Sequence, residues 1–466
     1  MMEVFFIELS KEDQTPLYEQ MYQQIRDDIV SGKLTKGQKL PSKRKLGDFL
    51  NVSQTTVEMA YDQLVAEGYI TSEPRRGFFV EYVEELAPIP TEPTLETEQS
   101  TREQHSIQID FSPGLIDTAQ FPFATWRKYA RDVIDSHERH LLQLGHPHGD
   151  LELREQIARY VYESRGVECT PDQIIVGSGT EQLMTLLFRI LDESAVFALE
   201  DPGYLATHPM FQHDKRPVVH IPVDEDGMQV DRLNETEATI AYVTPSHQFP
   251  TGHVLSASRK AKLLNWAAEH SSRFIIEDDY DSEFRYIGKP IPSLQSMDPL
   301  GKVIYLSTFS KSFMPSLRMA YMILPIALLE RYERAFIHYA ATVPRFDQHL
   351  VARFMEDGHF ARHLNRMRNL YKKKLHLIID ELEPYAPYVS YSGEHAGMHV
   401  TLSVQEERSE PQLVQRAQSS HIQIEPITAY CHTVTYEQPT FLLGFGGLPL
   451  EDIPFAIRRL FDSWSR

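Results

Sequence analysis

The first 80 residues carry apolar side chains at helical spacing, which predicts three short helices followed by a β-hairpin. The three apolar faces comprise Tyr18, Met21, Ile25 and Ile29; Leu46, Phe49 and Leu50; and Val57, Ala60, Tyr61 and Leu64. Pro41 is tolerated in the first turn of the second helix, and Ser53 is a good N-cap for the third. Residues 69–71 and 78–80 flank a Glu-Pro-Arg-Arg-Gly turn, which is typical of a strand–turn–strand unit.

From residue 107 onward, short apolar runs are separated by stretches with helical periodicity. The runs are Ile174–Val176, Val196–Leu199, Ile240–Val243, Phe274–Ile276 and Val303–Leu306. Such strands alternating with helices predict an α/β fold with a mostly parallel sheet covered on both faces. The tail, from about residue 356 to 466, mixes long charged helices with short strands and predicts a small α+β domain.

The segment 81–107 separates these two patterns and contains seven acidic residues, one arginine and three prolines. This composition is typical of a solvated, fairly extended linker. We therefore predict a first domain at 1–80, an acidic linker at 81–107 and a second domain at 108–466, whose small C-terminal part is the tail described above.

Charge is distributed unevenly between the two domains. The whole chain carries a formal net charge of −20, which by itself argues against binding to nucleic acid. Residues 1–80, however, contain ten basic and twelve acidic side chains, and residues 33–45 hold six basic residues and no acid. Arg75 and Arg76 add two positive charges at the hairpin tip. A lysine run alone is more often a solvated face, but on this helical framework it favours nucleic-acid binding.

The paired second and third helices predict a helix-turn-helix, in which the third helix enters the major groove with its N-terminal end. The side chains expected to reach base edges are those of Ser53, Gln54, Thr55 and Thr56. Phosphate contacts are expected from Lys43 and Arg44 on the second helix and from Arg75 and Arg76 on the hairpin, which position the domain without reading sequence.

Several short motifs of this domain closely resemble the GntR-type winged helix. They are Leu40-Pro41-Ser42-x-Arg44-x-Leu46, Val52-Ser53, Ala60-Tyr61, Glu67-Gly68 and Gly77-Phe78-Phe79-Val80. Such domains often carry arginine directly after the capping serine, where this chain has Gln54. The resemblance therefore implies a DNA-binding domain whose target sequence differs from that of relatives with the arginine.

Polar residues follow the predicted strands of the second domain, where ligands of open α/β sheets bind. The segments are Gly177–Thr180, Glu200–Tyr204, Thr244–Gly252, Glu277–Tyr280 and Ser307–Ser312, followed by Arg318. They supply a lysine, an acid, an aromatic platform, and hydroxyls with an arginine around a phosphate seat at a helix N-terminus. These are the parts that hold pyridoxal phosphate, where lysine forms a Schiff base and an aspartate keeps the pyridine nitrogen protonated.

The order and spacing of these segments resemble fold-type-I pyridoxal-phosphate enzymes of the aminotransferase kind. The upstream motifs Asp110-Phe111-x-x-Gly114 and Gly145-His146-Pro147-x-Gly149 fit as well. The resemblance implies that Lys311 attaches the cofactor, that Asp278 faces the pyridine nitrogen, with Glu277 and Asp279 as weaker candidates, and that Tyr280 lies near the phenolic oxygen. It also implies a ring-stacking side chain and a set of phosphate ligands: Tyr204 for the ring, and Gly179, Thr180, Thr308, Ser310 and Arg318 for the phosphate.

A GntR-type winged helix joined to an aminotransferase-like domain resembles the layout of the MocR group of bacterial transcription regulators. The segments 246–250 and 277–284 resemble that group in particular. The resemblance implies a homodimer with cofactor sites at the subunit interface, and binding to promoter DNA governed by what occupies those sites.

Two departures from the enzyme pattern lower the expected catalytic activity. Phe249 stands where aminotransferases usually have asparagine, so His247 or Gln248 would replace that cofactor contact. No Lys or Arg lies between Arg416 and Arg458, where an arginine usually holds the substrate carboxylate; His421 or His432 would substitute weakly. One further departure concerns the effector. The GABA-responsive branch of the MocR group has arginine directly after its Gly-Tyr, whereas Tyr204 is followed by Leu-Ala. The resemblance therefore does not imply a GABA effector.

The leading hypothesis is a transcription regulator that binds pyridoxal phosphate and responds to a B6 vitamer, an amino compound, or both, with at most partial aminotransferase chemistry. One alternative is an active aminotransferase with an accessory DNA-binding domain; another is a winged-helix regulator whose second domain only dimerises. Two cysteines argue against a multi-cysteine metal site, so no metal is expected. No apolar run near 18 residues is present, which favours a cytoplasmic protein without a membrane span.

Overall fold

The computed structural model describes residues 7–10, 13, 15–81, 107–135, 139–204, 208–288 and 291–465. The chain divides into two compact units, Met1–Thr101 and Arg102–Arg466. Residues 82–106, almost the whole of the predicted linker, lie outside the described residues. Within the described ranges, no helix is long and apolar enough to cross a membrane.

The first unit contains the three helices and the hairpin that the apolar pattern predicts. They are α1 (Leu17–Val30), α2 (Lys43–Leu50), α3 (Gln54–Ala66), β1 (Ile70–Glu73) and β2 (Gly77–Val80). The hydroxyls of Ser42 and Ser53 accept hydrogen bonds from the backbone N–H of Lys45 and Thr56, and so cap α2 and α3. Met21, Ile25 and Ile29 of α1 and the whole predicted apolar face of α3 are buried in one core, which confirms the winged-helix fold, whereas Tyr18 is only half-buried.

The second unit alternates strands and helices along most of its length. Its strands are β3 (Ile109–Asp110), β4 (Ile174–Gly177), β5 (Phe197–Asp201), β6 (Val218–Asp224), β7 (Gly227–Met228), β8 (Ile240–Val243), β9 (Phe274–Asp279), β10 (Val303–Thr308), β11 (Ala320–Ile323), β12 (Val389–Ser392), β13 (His399–Val404), β14 (Ile422–Gln423), β15 (Glu425–Pro426) and β16 (Thr440–Gly444). Its helices are α4 (Phe123–Asp135), α5 (Leu151–Arg165), α6 (Thr180–Ile190), α7 (His208–His213), α8 (Val230–Leu233), α9 (Ala257–Ala268), α10 (Phe309–Ser312), α11 (Ile326–Phe336), α12 (Arg345–Glu356), α13 (His359–Leu382), α14 (Glu410–Ser419) and α15 (Ile453–Ser465).

Eight strands of the described residues form one large sheet in the order β4-β11-β10-β9-β8-β5-β6-β7. The run from β10 to β6 is parallel, whereas β11 is antiparallel to both neighbours and β7 to β6. Ile175 packs in a core with α6 and α11, while Ile174 and Val176 pack in a second core with α5 and α12. Helices therefore cover both faces, and the predicted mostly parallel sheet is confirmed.

Three central strands extend further than the apolar runs predicted. The acidic residues expected after the strand at 274–276 belong to β9 itself, since Asp278 and Asp279 pair with Leu306 and Ser307 of β10. Glu200 and Asp201 likewise lie in β5, and Ser307 and Thr308 in β10. These polar residues do not end their strands because their backbones continue the hydrogen-bonded ladder while their side chains find partners. The apolar runs named in the sequence analysis did not include β6 and β11.

The C-terminal part forms a smaller layer built on the four-stranded sheet β12-β13-β16-β15. Its core contains apolar side chains of α13, α14 and α15. Ile109, Phe111 and Ile116 also belong to this core, and β3 pairs with β14. The start of the second domain therefore packs with its end, which places residues 112–114 beside the large sheet's polar edge.

Candidate functional site

A cavity of about 330 Å³ lies at the carboxyl ends of the central strands. Nine of the ten predicted cofactor residues line it: Gly179, Thr180, Tyr204, Asp278, Tyr280, Thr308, Ser310, Lys311 and Arg318. The carboxyl ends of parallel strands meet at one edge of a sheet, which explains why segments more than a hundred residues apart converge here.

Lys311 lies on α10, one turn after β10 ends, and its ammonium group reaches the backbone of the segment that precedes α4. Its Nζ donates to the carbonyl oxygen of Gly114 at 2.6 Å. Burial lowers the pKa of Lys311 to about 8, because the low-dielectric surroundings disfavour the charged form. At pH 7 roughly a tenth of this amine is therefore neutral and able to attack an aldehyde.

Asp278 is the only member of the acidic triplet 277–279 that lines the cavity. The hydroxyl of Tyr242 donates to its Oδ2, and burial raises the pKa of Asp278 to about 7. A protonated ring nitrogen opposite this carboxylate would favour the ionised form, and the carboxylate would in turn hold the proton on the nitrogen.

Glu277 and Asp279, the two weaker candidates from the sequence, have other partners. Glu277 accepts hydrogen bonds from the backbone N–H groups of Leu294 and Gln295 at 2.7 and 2.8 Å. Asp279 pairs with the buried guanidinium of Arg165 at 2.7 Å. Both acids therefore hold neighbouring segments of the protein together, and Asp278 is the one of the three whose side chain lines the cavity.

The predicted phosphate ligands form a cradle around the N-terminus of α6. Gly179 precedes this helix with φ +147°, and a Cβ atom there would lie 2.5 Å from Nη2 of Arg318. Arg318 is half exposed and pairs with Glu181 at 3.2 Å. Thr308 and Ser310 add hydroxyl groups to the cavity lining. Backbone N–H groups, hydroxyls and one guanidinium are the donors that a phosphate dianion accepts.

His247 does not line the cavity, which corrects its expected direct contact with the cofactor. Its Nδ1 lies 2.8 Å from a carboxylate oxygen of Asp281 and 3.0 Å from the hydroxyl of Tyr280. The ring is buried beneath Tyr280, and the backbone of Gly397 packs against it. Gln248 is also turned away, since its amide donates to the carbonyl oxygen of Pro202 at 2.9 Å. His247 therefore positions Tyr280.

Several residues of the cavity wall were not identified from the sequence as ligand-binding residues. They are Ser112, Pro113, Glu181, Met210, Thr244, Phe249, Glu425 and Tyr430. Gly114 also lines the cavity, and the sequence analysis named it only as part of the motif Asp110-Phe111-x-x-Gly114. Thr244 and Phe249 follow β8 in a segment that the strand-end pattern had singled out. Glu425 and Tyr430 come from the small C-terminal layer, where no motif marked them.

Three histidines lie beside this cavity although the sequence predicted no metal site. One ligand atom from each of His208, His220 and His432 lies within 4.8 Å of the others. The rings are 4.0 to 4.8 Å apart between centroids and within 30° of parallel. Burial lowers the pKa of His220 to about 4. The near-parallel rings are stacked, and the in-plane nitrogen lone pairs of stacked rings do not point to one centre.

On the first unit, the predicted base-reading residues divide into two groups. Gln54 and Thr55 are exposed at the start of α3. The hydroxyl of Ser53 accepts from the backbone N–H of Thr56 at 3.1 Å and lies 2.8 Å from the Thr56 hydroxyl, so both of these side chains are engaged in the cap.

The predicted phosphate contacts also differ in their surroundings. Arg44 is 85% exposed, with Asp48 at 3.9 Å. Lys43 is mostly buried and binds Glu58 at 2.7 Å and Asp62 at 3.1 Å, so it ties α2 to α3 rather than projecting freely. At the hairpin tip, Arg75 is exposed in a turn with φ +66°. Arg76 pairs with Glu73 and lies over the ring of Phe79.

Both units match known families. Residues 17–80 match the family described as bacterial regulatory proteins, gntR family, and residues 106–441 match aminotransferase class I and II. The chain is 31% identical to the probable rhizopine catabolism regulatory protein MocR of Rhizobium meliloti, over 94% of this chain and 92% of that protein. The chain belongs to the MocR group of regulators.

Further relatives agree with this assignment. The HTH-type transcriptional regulator YdeL of Bacillus subtilis is 40% identical over 96% of this chain and 97% of its own length. The second unit is similar to a kynurenine aminotransferase of Pyrococcus horikoshii, with a TM-score of 0.70 and 26% identity over 77% of this chain and 91% of that one. This MocR-group chain is therefore a transcription regulator with an aminotransferase-like domain, and the cofactor of that domain is pyridoxal phosphate.

The residues of the cavity fit this cofactor at each of its functional groups. A partly neutral lysine is available for the aldehyde, a buried carboxylate for the pyridine nitrogen, and the cradle at Gly179 for the phosphate. The wall adds the hydroxyl of Tyr280 and the ring of Tyr204.

Proposed function

We propose that this MocR-group regulator senses what occupies the pyridoxal-phosphate cavity and adjusts its affinity for promoter DNA accordingly. The signal is a B6 vitamer, an amino compound, or both. The observation that carries the proposal is the convergence of Lys311, Asp278 and the phosphate cradle on one cavity, in a chain that also carries a winged helix. A scaffold used only for dimerisation does not need this set of side chains.

The residues of this chain have separate tasks in the proposal. Bound pyridoxal phosphate supplies an electrophilic carbon that reacts with amines. Lys311 holds it covalently, Asp278 keeps the ring nitrogen protonated, and Arg318 with the start of α6 fixes the phosphate. Tyr280 lines the edge of the cavity, and its hydroxyl is held by His247, whose backbone carbonyl oxygen accepts its hydrogen bond at 3.0 Å.

A titration of DNA binding tests this proposal. A labelled duplex selected by the full chain from a random pool would be titrated with cofactor-free protein, with cofactor-loaded protein, and with loaded protein plus candidate amines. We expect at least one addition to change the dissociation constant about fivefold or more, the lower range of measured allosteric couplings. Equal affinity in all three states would refute the sensor proposal.

The second candidate function is that of an active aminotransferase with an accessory DNA-binding domain. It is favoured by the presence, in the same cavity, of a lysine of lowered pKa and of a buried carboxylate, Asp278. Steady turnover of an amino donor with a keto acid, at ordinary enzyme rates of about 1 s⁻¹ or more, would favour this candidate.

We also propose a homodimer with cofactor sites at its interface. The region 123–144 exposes the large apolar side chains Phe123, Ile134, Leu142 and Leu144. Exposed apolar groups concentrated in one region commonly mark an interface with another protein chain. Sedimentation of the full chain should give a dimer mass, and Leu142→Asp combined with Leu144→Asp should shift it to the monomer.

A further inference from the structure

The charges that line the cavity divide into those committed to the cofactor and those that are not. Among the described lining residues, Lys311 and Arg318 are the only lysine or arginine side chains. The three acids are Glu181, Asp278 and Glu425. Arg318 pairs with Glu181, and Asp278 faces the ring nitrogen in the proposed arrangement. Glu425 is then the one charged group left for a second ligand.

Glu425 lies on β15, in the small C-terminal layer that forms one wall of the cavity. It pairs in register with Leu442 of β16, so its immediate neighbour across the strands is apolar. Its Oε2 accepts a hydrogen bond from the hydroxyl of Tyr430. No Lys or Arg occurs in the sequence from Ala417 to Ile457, so this region of the chain offers Glu425 no permanent positive partner.

Aromatic rings surround the same part of the cavity. Phe249 lies 5.5 Å from Tyr204, 5.1 Å from Tyr430 and 6.2 Å from Tyr280 between ring centroids. The negative faces of aromatic rings attract cations, and the attraction is stronger where water is excluded. An aromatic wall with one carboxylate is suited to an ammonium group and unsuited to a second carboxylate.

We propose that Glu425 binds a positively charged nitrogen of the effector, and that the effector class is a primary amine with a second cationic nitrogen, such as a diamine. An amino acid of the same length would place its carboxylate against Glu425 and the aromatic rings. This inference rests on the proposed sensor function, because it names the ligand class of the same cavity.

Matched pairs of compounds separate the two effector classes. Calorimetric titration of the cofactor-loaded full chain would compare 1,4-diaminobutane with 4-aminobutanoate, and 1,3-diaminopropane with 3-aminopropanoate. Each pair shares one primary amine and differs only in the distal group. Butylamine, whose distal end carries no charge, serves as the reference compound. We expect the diamine of at least one pair to bind about tenfold or more tightly than its partner, since one charge–charge contact changes sign.

Variants of Glu425 then assign that preference to one side chain. Glu425→Gln should remove the preference for the diamine, and Glu425→Lys should reverse it. Glu437→Gln is the matched control, because Glu437 is exposed nearby in the chain and does not line the cavity. The visible absorption of the bound cofactor checks that each variant is folded and loaded.

The possible results separate the two proposals. Equal or tighter binding of the amino acids by the unmodified chain, no binding of either class, or a diamine preference that persists in Glu425→Gln would each overturn the role of Glu425. A diamine preference that Glu425→Gln removes, without any change in DNA affinity, would support that role and refute the sensor function. If diamines and amino acids changed the DNA affinity equally, the sensor function would be supported and the role of Glu425 would be refuted.

Discussion

The protonation of Lys311 decides how readily the cavity takes up its cofactor. Two effects oppose each other there: burial disfavours the ammonium form, and the carboxylate of Asp281 favours it. The effect of burial is the larger of the two, so the pKa of Lys311 falls from the usual 10.5 to about 8. The neutral amine is the form that attacks an aldehyde, so the attachment rate must rise with pH up to that value.

We predict that the rate of covalent cofactor attachment to cofactor-free protein falls roughly tenfold per pH unit below about pH 8 and levels off above it. Rapid-mixing absorbance of the lysine-bound cofactor measures this rate, and Lys311→Ala should show no such band. A midpoint near that of an ordinary exposed lysine would mean that Lys311 is not desolvated as described.

Much of the site was predictable at this scale, and the part that was not has a physical reason. The strand-end rule identified the segments that carry Lys311 and Asp278, because the carboxyl ends of parallel strands meet at one edge, and the family resemblance assigned the two residues their roles. Tyr242, which donates to Asp278, lies inside an apolar strand, so nothing in its neighbours suggested a polar task. Glu425 was missed because its approach to the cavity depends on how the C-terminal layer packs.

At the scale of single elements, the start of α6 is the most constrained part of the site. Gly179 combines a positive φ with close approach of the Arg318 guanidinium, so only glycine leaves the phosphate cradle open. We predict that Gly179→Ala weakens cofactor binding by about tenfold or more, measured by equilibrium titration of cofactor-free protein.

Gly301→Ala is the matched control for that substitution. Gly301 also has a positive φ, of +64°, but a Cβ there would meet only a side-chain atom of Pro325 at 3.9 Å. It should lower the unfolding free energy by about 1 kcal/mol through backbone strain and leave cofactor affinity unchanged. Equal loss of affinity in both variants would show that Gly179 acts through general stability.

The winged helix allows a similar separation of roles between α2 and α3. Arg44 is exposed on α2, whereas Gln54 is exposed at the N-terminal end of α3. We predict that Arg44→Ala weakens binding to all duplexes alike and reduces the slope of log K against log salt concentration by about one. Gln54→Ala should instead change the preferred base at one position of the selected duplex.

Lys43 illustrates where the sequence was misleading about this element. Its position within a basic run suggested a phosphate contact, but its ammonium group binds Glu58 and Asp62 of α3. A basic run does not show which lysines already have partners within the domain. Lys43→Ala should therefore lower the thermal stability of the first unit more than Arg44→Ala does. Anisotropy titrations together with thermal unfolding distinguish these outcomes.

At the scale of the whole molecule, the net charge of −20 is divided between two units with different tasks. About −2 belongs to residues 1–80, whose basic groups are concentrated in residues 33–45 and at the hairpin tip, and the remaining −18 belongs to the rest. Phosphates repel an acidic surface, so DNA should be drawn to the first unit only. This division explains how a strongly acidic chain serves as a DNA-binding regulator.

The measurement that tests the central claim most directly is the ratio of DNA affinities with and without pyridoxal phosphate, in the unmodified chain and in Lys311→Ala. If occupation of the cavity controls DNA binding, the ratio should differ from one by about fivefold or more in the unmodified chain. It should return to one in Lys311→Ala. A ratio of one in the unmodified chain, or the same ratio in both proteins, would contradict control through the lysine-bound cofactor.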